Sequence, residues 1–265
     1  MLTVPDITIT SLDEIKAFSL TGAPRFILDE LQNATIANTE DKVDITGKGG
    51  RKLNSLKRNK AVTISGTNGL ISAGMLEAQT GGVFEQMEAA PVEWTDYLTV
   101  NGGEATTEYV AVGTAGAEIK ALYIRDAATG AATKKLEQDA TAAEGKFAYD
   151  PETRKLTLSE TDAADGSEIT VFYTRSVAAS VLTNNSESYS EKLRLYVDGT
   201  GEDKCGNHYH IQFMIPKADF NGNFDIELGG DQAVHAFEAE SLAGACGTGG
   251  ALWTYTVFGL TEAAA

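Results

Sequence analysis

The sequence predicts a mainly β protein, a sandwich or barrel with one or two short helices and an extended N-terminal arm. Three observations carry that prediction. Short segments of alternating apolar and polar residues recur at intervals of roughly ten residues. Turn clusters rich in Gly, Asn and Asp separate them. An apolar fraction of 42% over 265 residues is enough to build a core, and no internal repeat or long linker interrupts the chain.

Residues 1–40 read as the arm. Ser11 followed three positions later by Glu14 is a capping-box signal, and Pro24 suits the first turn of a second short helix carrying Phe26, Ile27 and Leu31 on one stripe. Residues 41–265 read as a β-rich domain with long loops around 101–144. Val62 and Ile64 alternate with Thr63 and Ser65 before a TNG turn at 67–69. Leu70–Thr80 predicts a short helix closed by Gly81 and Gly82. Further strands are expected at Tyr97–Val100, Glu108–Val112, Ile119–Arg125, Leu156–Leu158, Ile169–Tyr173, Leu193–Val197, Tyr209–Ile215, Phe224–Leu228 and Leu252–Phe258. The Ala/Gly/Thr-rich pieces at 113–117 and 126–143 read as surface loops.

Charge sets one feature apart. The stretch GKGGRKLNSLKRNK (47–60) holds six of the 21 basic residues and no acid. The chain carries −17, so the other 251 residues carry −23. Such acidity opposes duplex binding, which depends on Lys and Arg displacing counterions from phosphates. GKGGRK is not a phosphate loop, because Lys48 is followed by Gly49 where that motif needs Ser or Thr. The remaining readings are a solvated basic loop and a contact with the acidic face of another copy. On the second reading Lys48, Arg51, Lys52, Lys57, Arg58 and Lys60 are subunit-interface candidates.

Chemistry-bearing residues are sparse. Cys205, His208 and His210, with His235 and Cys246 downstream, are all the Cys and His residues in the chain. They lack the paired knuckles of structural zinc sites, and strand alternation puts His208 and His210 on the face opposite Tyr209, Ile211 and Phe213. No metal or cofactor is therefore expected; two cysteines cannot make a disulfide scaffold, and a single bridge stays open beside folding in a reducing cytoplasm. No nucleophile elbow and no H-E-x-x-H occurs, and DAADGSE (162–168) has the Asp and Gly that turns favour anyway. An enzyme is not expected. No apolar run is long enough to span a bilayer, and the N-terminus lacks the basic and apolar regions of a signal peptide.

Three segments resemble the major tail-tube proteins of long-tailed bacteriophages. They are DITGKGGRKLNSLKRNKAVTISGTNGLISAGMLEAQTG (44–81), GKFAYDPETRKLTLSETDAADGSEITVFYTR (145–175) and FNGNFDIELGGDQAVHAFEAESLAGACGTGGALWTYTVFG (220–259). The resemblance implies a β-sandwich-like subunit that joins six-fold rings, stacked into a virion tube whose acidic lumen conducts DNA during ejection. It implies folding in the host cytoplasm. The implied partners are other copies and other tail proteins: tape measure, terminator, and sheath if the tail contracts. DNA would pass without specific binding. Two alternatives stay open: a capsid-decorating or tail-tip protein that binds a host surface, and a carbohydrate-active β-sandwich enzyme. The enzyme would want two carboxylates flanked by exposed Trp and Tyr, whereas Trp94 and Trp253 stand far apart in the sequence.

Overall fold

The computed structural model describes residues 6–126, 128–227, 234–243 and 250–259. Strands make up 62% of it and helix 3%, which agrees with a mainly β fold. In chain order the elements are β1 (Ile7–Ser19), β2 (Pro24–Leu28), β3 (Leu31–Thr46), β4 (Lys52–Asn68), α1 (Ala73–Thr80), β5 (Glu85–Thr99), β6 (Glu104–Thr106) and β7 (Ile119–Arg125). They continue with β8 (Ala132–Gln138), β9 (Lys146–Asp150), β10 (Lys155–Leu158), β11 (Glu168–Val181), β12 (Lys192–Asp203), β13 (His208–Phe220), β14 (His235–Ser241) and β15 (Thr254–Gly259). Two units result: residues 1–84 with 182–265, and residues 85–181.

The first unit is one sheet in the order β2-β1-β12-β13-β14-β4-β3, with β15 alongside β13. The sheet curls, because β3 at one end comes into contact with β1 near the other. Inward residues at period two fill the curl: Ile15, Ala17, Leu28, Ile64, Leu193, Leu195 and Ile215 form one core with Met75 of α1. The helix ends where Gly81 predicts, but starts at Ala73 rather than Leu70. Ser72 Oγ accepts from Met75 N–H at the start, and Gly81 ends the helix at φ 69°. Only glycine adopts that angle cheaply, and a Cβ there would lie 2.1 Å from the Tyr189 carbonyl oxygen.

The helices expected from Ser11/Glu14 and from Pro24 are strands instead. Residues 7–19 pair on one side with β12, from Ile7↔Asp203 to Ser19↔Leu193, and on the other with β2. Ile15 and Ala17 alternate into the core, as do Phe26 and Leu28, while Ile27 points outward. A local cap contributes about 1 kcal/mol, too little to outweigh a strand buried between two neighbours.

In the second unit the order is β5-β11-β7-β8-β9-β10-β6. Leu122, Leu136, Phe147, Leu156, Ile169, Val171 and Tyr173, contributed by β7 to β11, share one core. Ala132–Gln138, expected as loop, is β8, anchored by a single buried residue, Leu136 opposite Leu122. Glu108–Val112, expected as strand, is not one. Three of its N–H groups are taken by side chains: Glu108 N donates to Asp96 Oδ2 (2.8 Å), Tyr109 N to Tyr173 Oη (3.1 Å) and Ala111 N to Tyr149 Oη (2.9 Å). Of the strand expected at 224–228, the described residues make only an isolated bridge, Ile226↔His235, and Leu228 lies outside them.

Candidate functional site

The basic stretch is a hairpin arm rather than a loop. β3 and β4 pair from Leu31↔Asn68 to Thr46↔Lys52, and residues 47–51 close the turn through Gly47 N to Arg51 O (2.8 Å). On its other side β4 meets β14 only over Thr63–Asn68. Among the described residues, 39–46 and 52–61 therefore pair only with each other and project beyond the sheet. At about 3.3 Å per residue the ten residues 52–61 extend roughly 30 Å. A bulge marks the root: Thr39↔Ala61 and Asp41↔Arg58 leave one extra residue in β4, Asn59 adopts φ 52°, and its amide donates to Asp41 Oδ2 (2.8 Å).

All six candidate bases lie on this projection and all are exposed. Lys48 and Arg51 sit at the tip turn; Lys52, Lys57, Arg58 and Lys60 follow along β4. Two are partly neutralised within the hairpin, Lys52 by Asp44 and Lys57 by Glu40, each at 2.6 Å. The Lys57 ammonium, with Lys60 and Lys42 nearby, holds the Glu40 carboxyl below the usual carboxylate range. Lys48, Arg51, Arg58 and Lys60 form no ion pair among the described residues. Residues 39–61 carry seven bases and three acids, a net +4.

The charge has an apolar counterpart that sequence reasoning missed. Val43 pairs with Leu56, and Ile45 lies two positions along, so the three share one face of the hairpin. Leu56 is 54% exposed and Leu53, above the tip turn, 62%. Glu40, Lys42, Asp44 and Lys57 take the opposite face. The alternation V-D-I in 43–45, followed by a Gly-rich turn, was the available signal; six bases in fourteen residues obscured it.

The histidines and cysteines do not gather. His208 and His210 lie on β13 facing away from Ile211, and the His210 ring rests 5.3 Å from Phe258. Cys205 is exposed in the β12–β13 turn, and Cys246 lies outside the described residues. His235 is fully buried elsewhere in the sheet. Its Nδ1 accepts from Ser72 N–H (3.4 Å), so Nε2 carries the proton and donates to Gln79 Oε1 (2.7 Å), while Gln79 Nε2 donates to Ala236 O. That chain fastens α1 to β14. Among the described residues no three of His, Cys, Asp and Glu stand close enough to share a metal.

The carboxylates of 162–168 hold turns. Asp162 binds Lys134 and Gly145 N–H, Asp165 accepts from Gly102 N–H, and Glu168 faces Arg125 at 3.7 Å. Burial pushes Asp162 up, but the Lys134 and Gly145 contacts outweigh it and its pKa is lowered. Trp94 is committed as well: its indole donates to Asp96, its face lies against Arg175, and Tyr109 packs edge to face on it while also meeting the Arg175 guanidinium. Trp253 instead lines a concave groove in the first unit. The outward face of the second unit carries aromatics. Tyr97 and Tyr123 flank Thr170 in one row, and Phe172 is 6.1 Å from Tyr123. Tyr97 is 69% exposed.

No helix among the described residues is long and apolar enough to cross a membrane. No curated protein matches the chain. The chain belongs to the YomU/Tube protein family, whose model matches residues 8–252.

Proposed function

We propose that this member of the YomU/Tube family is a structural subunit of a bacteriophage tail tube, self-assembling into stacked rings, hexameric by the tail-tube resemblance. The projecting basic hairpin carries this reading. A two-stranded arm with a net +4 on an acidic chain has its counter-charge on other copies of itself. Among the described residues the outer strands β2 and β3 leave backbone edges unpaired, a liability in a monomer and a means of closure in a ring. The chain's net −17 suits a lumen along which DNA slides without adhering. Tape measure, terminator and, in a contractile tail, sheath would be its partners in the virion.

The test is assembly. Each exposed ion pair contributes about 0–1 kcal/mol, but repetition around a ring compounds the effect. Lys57→Glu with Arg58→Glu should leave a folded monomer that forms no tubes in negative stain, and high salt should slow wild-type growth. Normal assembly of the double variant at low salt would show that these bases face only solvent.

One observation favours a second reading. Tyr97, Tyr123 and Phe172 form an outward aromatic face on the second unit, as a host-surface or decoration protein would need. Wild-type protein that remains monomeric and binds host envelope preparations would favour it.

A further inference from the structure

We infer that the apolar face of the hairpin seats in the concave groove of the first unit of a second copy; this rests on the tube reading and names its contact. The groove lies between β1 and β3 at the end of the curl that the core does not fill. It is a cavity of about 460 Å³ lined by Ile9, Leu12, Ile36, Ile211, Phe213 and Trp253 among others. Leu12, Ile36 and Phe213 also pack on the core, so its floor is apolar. Ile9 on the rim is 55% exposed.

Charge, reach and size indicate the occupant. Residues 6–16 and 198–204, in and flanking the stretches of β1 and β12 beside the groove, hold six carboxylates and two lysines, a net −4. Lys16 pairs with Glu14 and Asp198 and Lys204 with Asp6, which leaves Asp13, Glu202 and Asp203 without an ion pair among the described residues. The hairpin brings +4 to that rim while Val43, Ile45 and Leu56 present an apolar surface to its floor. Opposite potentials at a rim set register and direction. A chain cannot fill its own groove this way, because residues 32–38 of β3 form the groove wall and the projection continues that strand outward. The occupant must come from another copy. The 23 residues 39–61 are about the number one partner contributes to a standard interface, roughly 20–30. Hairpin into groove is a heterologous contact, which propagates into closed rings or open filaments rather than stopping at a dimer.

Two variants and their mixture test this. Val43→Glu with Leu56→Glu spoils the hairpin face; Ile9→Lys with Asn38→Lys spoils the groove. All four positions are exposed, so both variants should keep the wild-type urea midpoint. If either does not, Leu56→Ser and Ile9→Ser replace the pairs. Each variant alone should remain monomeric by light scattering. An equimolar mixture should form a 1:1 dimer and stop there, because one intact hairpin meets one intact groove and both free ends are disabled. If wild type assembles while either variant assembles equally well, or while the mixture stays monomeric, the groove assignment falls and the tube reading stands. Wild type that stays monomeric at every salt concentration overturns both.

Discussion

Asp96 is where a single substitution should loosen the second unit. Its carboxylate accepts three hydrogen bonds, from Trp94 Nε1 (3.0 Å) on Oδ1 and from Glu108 N (2.8 Å) and Tyr173 Oη (2.9 Å) on Oδ2. The Tyr173 hydroxyl also accepts from Tyr109 N–H, so one buried carboxylate and one buried phenol hold the 107–112 segment on the sheet. Burial, with Asp96 beside it, pushes the phenol pKa well above its ordinary value and keeps it a donor. Hydrogen bonds to a charged acceptor contribute about 1.5–3 kcal/mol each. In Asp96→Ala, Trp94 and Glu108 can turn to water, whereas the fully buried Tyr173 hydroxyl cannot. We therefore expect a loss of about 3–4 kcal/mol, rather than three full bonds. With a urea slope of about 1–3 kcal/mol/M, the midpoint should fall by roughly 1–4 M. The chain has two tryptophans, one in each unit. In a Trp253→Phe background, Trp94 fluorescence reports the second unit alone. Tyr173→Phe should cost less, about 1–2 kcal/mol, because the packing survives and one N–H loses its partner. An Asp96→Ala midpoint within about 0.3 M of its parent, a margin of about 0.3–0.9 kcal/mol at that slope, would refute the assigned role.

The first unit makes two further predictions. Burial lowers the His235 pKa, so the native state binds fewer protons than the unfolded chain as pH falls below the unfolded value of about 6.5. Stability from this group is complete above that pH and is lost below it, at up to about 1.4 kcal/mol per pH unit. With Trp253 as reporter in a Trp94→Phe background, the urea midpoint should decline from pH 7 to pH 5, and His235→Gln should flatten that decline; an unchanged slope would count against it. Gly81→Ala should destabilise the first unit by more than about 1 kcal/mol, through its positive φ and the collision with Tyr189, and a thermal melt equal to wild type would contradict this.

How legible each part was depended on the range of the forces that decide it. The end of the helix at 73–80 was readable because Gly81 acts within one turn of its own backbone; its start, expected at Leu70, is set at Ala73 by the Ser72 cap. β7, β10, β12 and β13 were readable because their apolar residues alternate into a core whatever the neighbouring strand is. Residues 7–28 misled because the capping signal is local, whereas the pairing that overrides it comes from residues 192–203 and was invisible along the chain. Residues 108–112 have strand-like composition, but Asp96, Tyr149 and Tyr173 compete for their N–H groups from afar.

The candidate surface divides in the same way. Composition alone established the concentration of six bases on an acidic chain and its small complement of three His and two Cys, because charge and residue type need no coordinates. Only the tertiary structure decided that those bases ride on a projecting arm, that two of them are answered by Glu40 and Asp44, and that Val43, Ile45 and Leu56 share a bare face. Those facts depend on strand register: a shift of one residue would exchange the two faces of the hairpin, and register is set by a turn, a bulge at Asn59 and the short reach of β14 along β4.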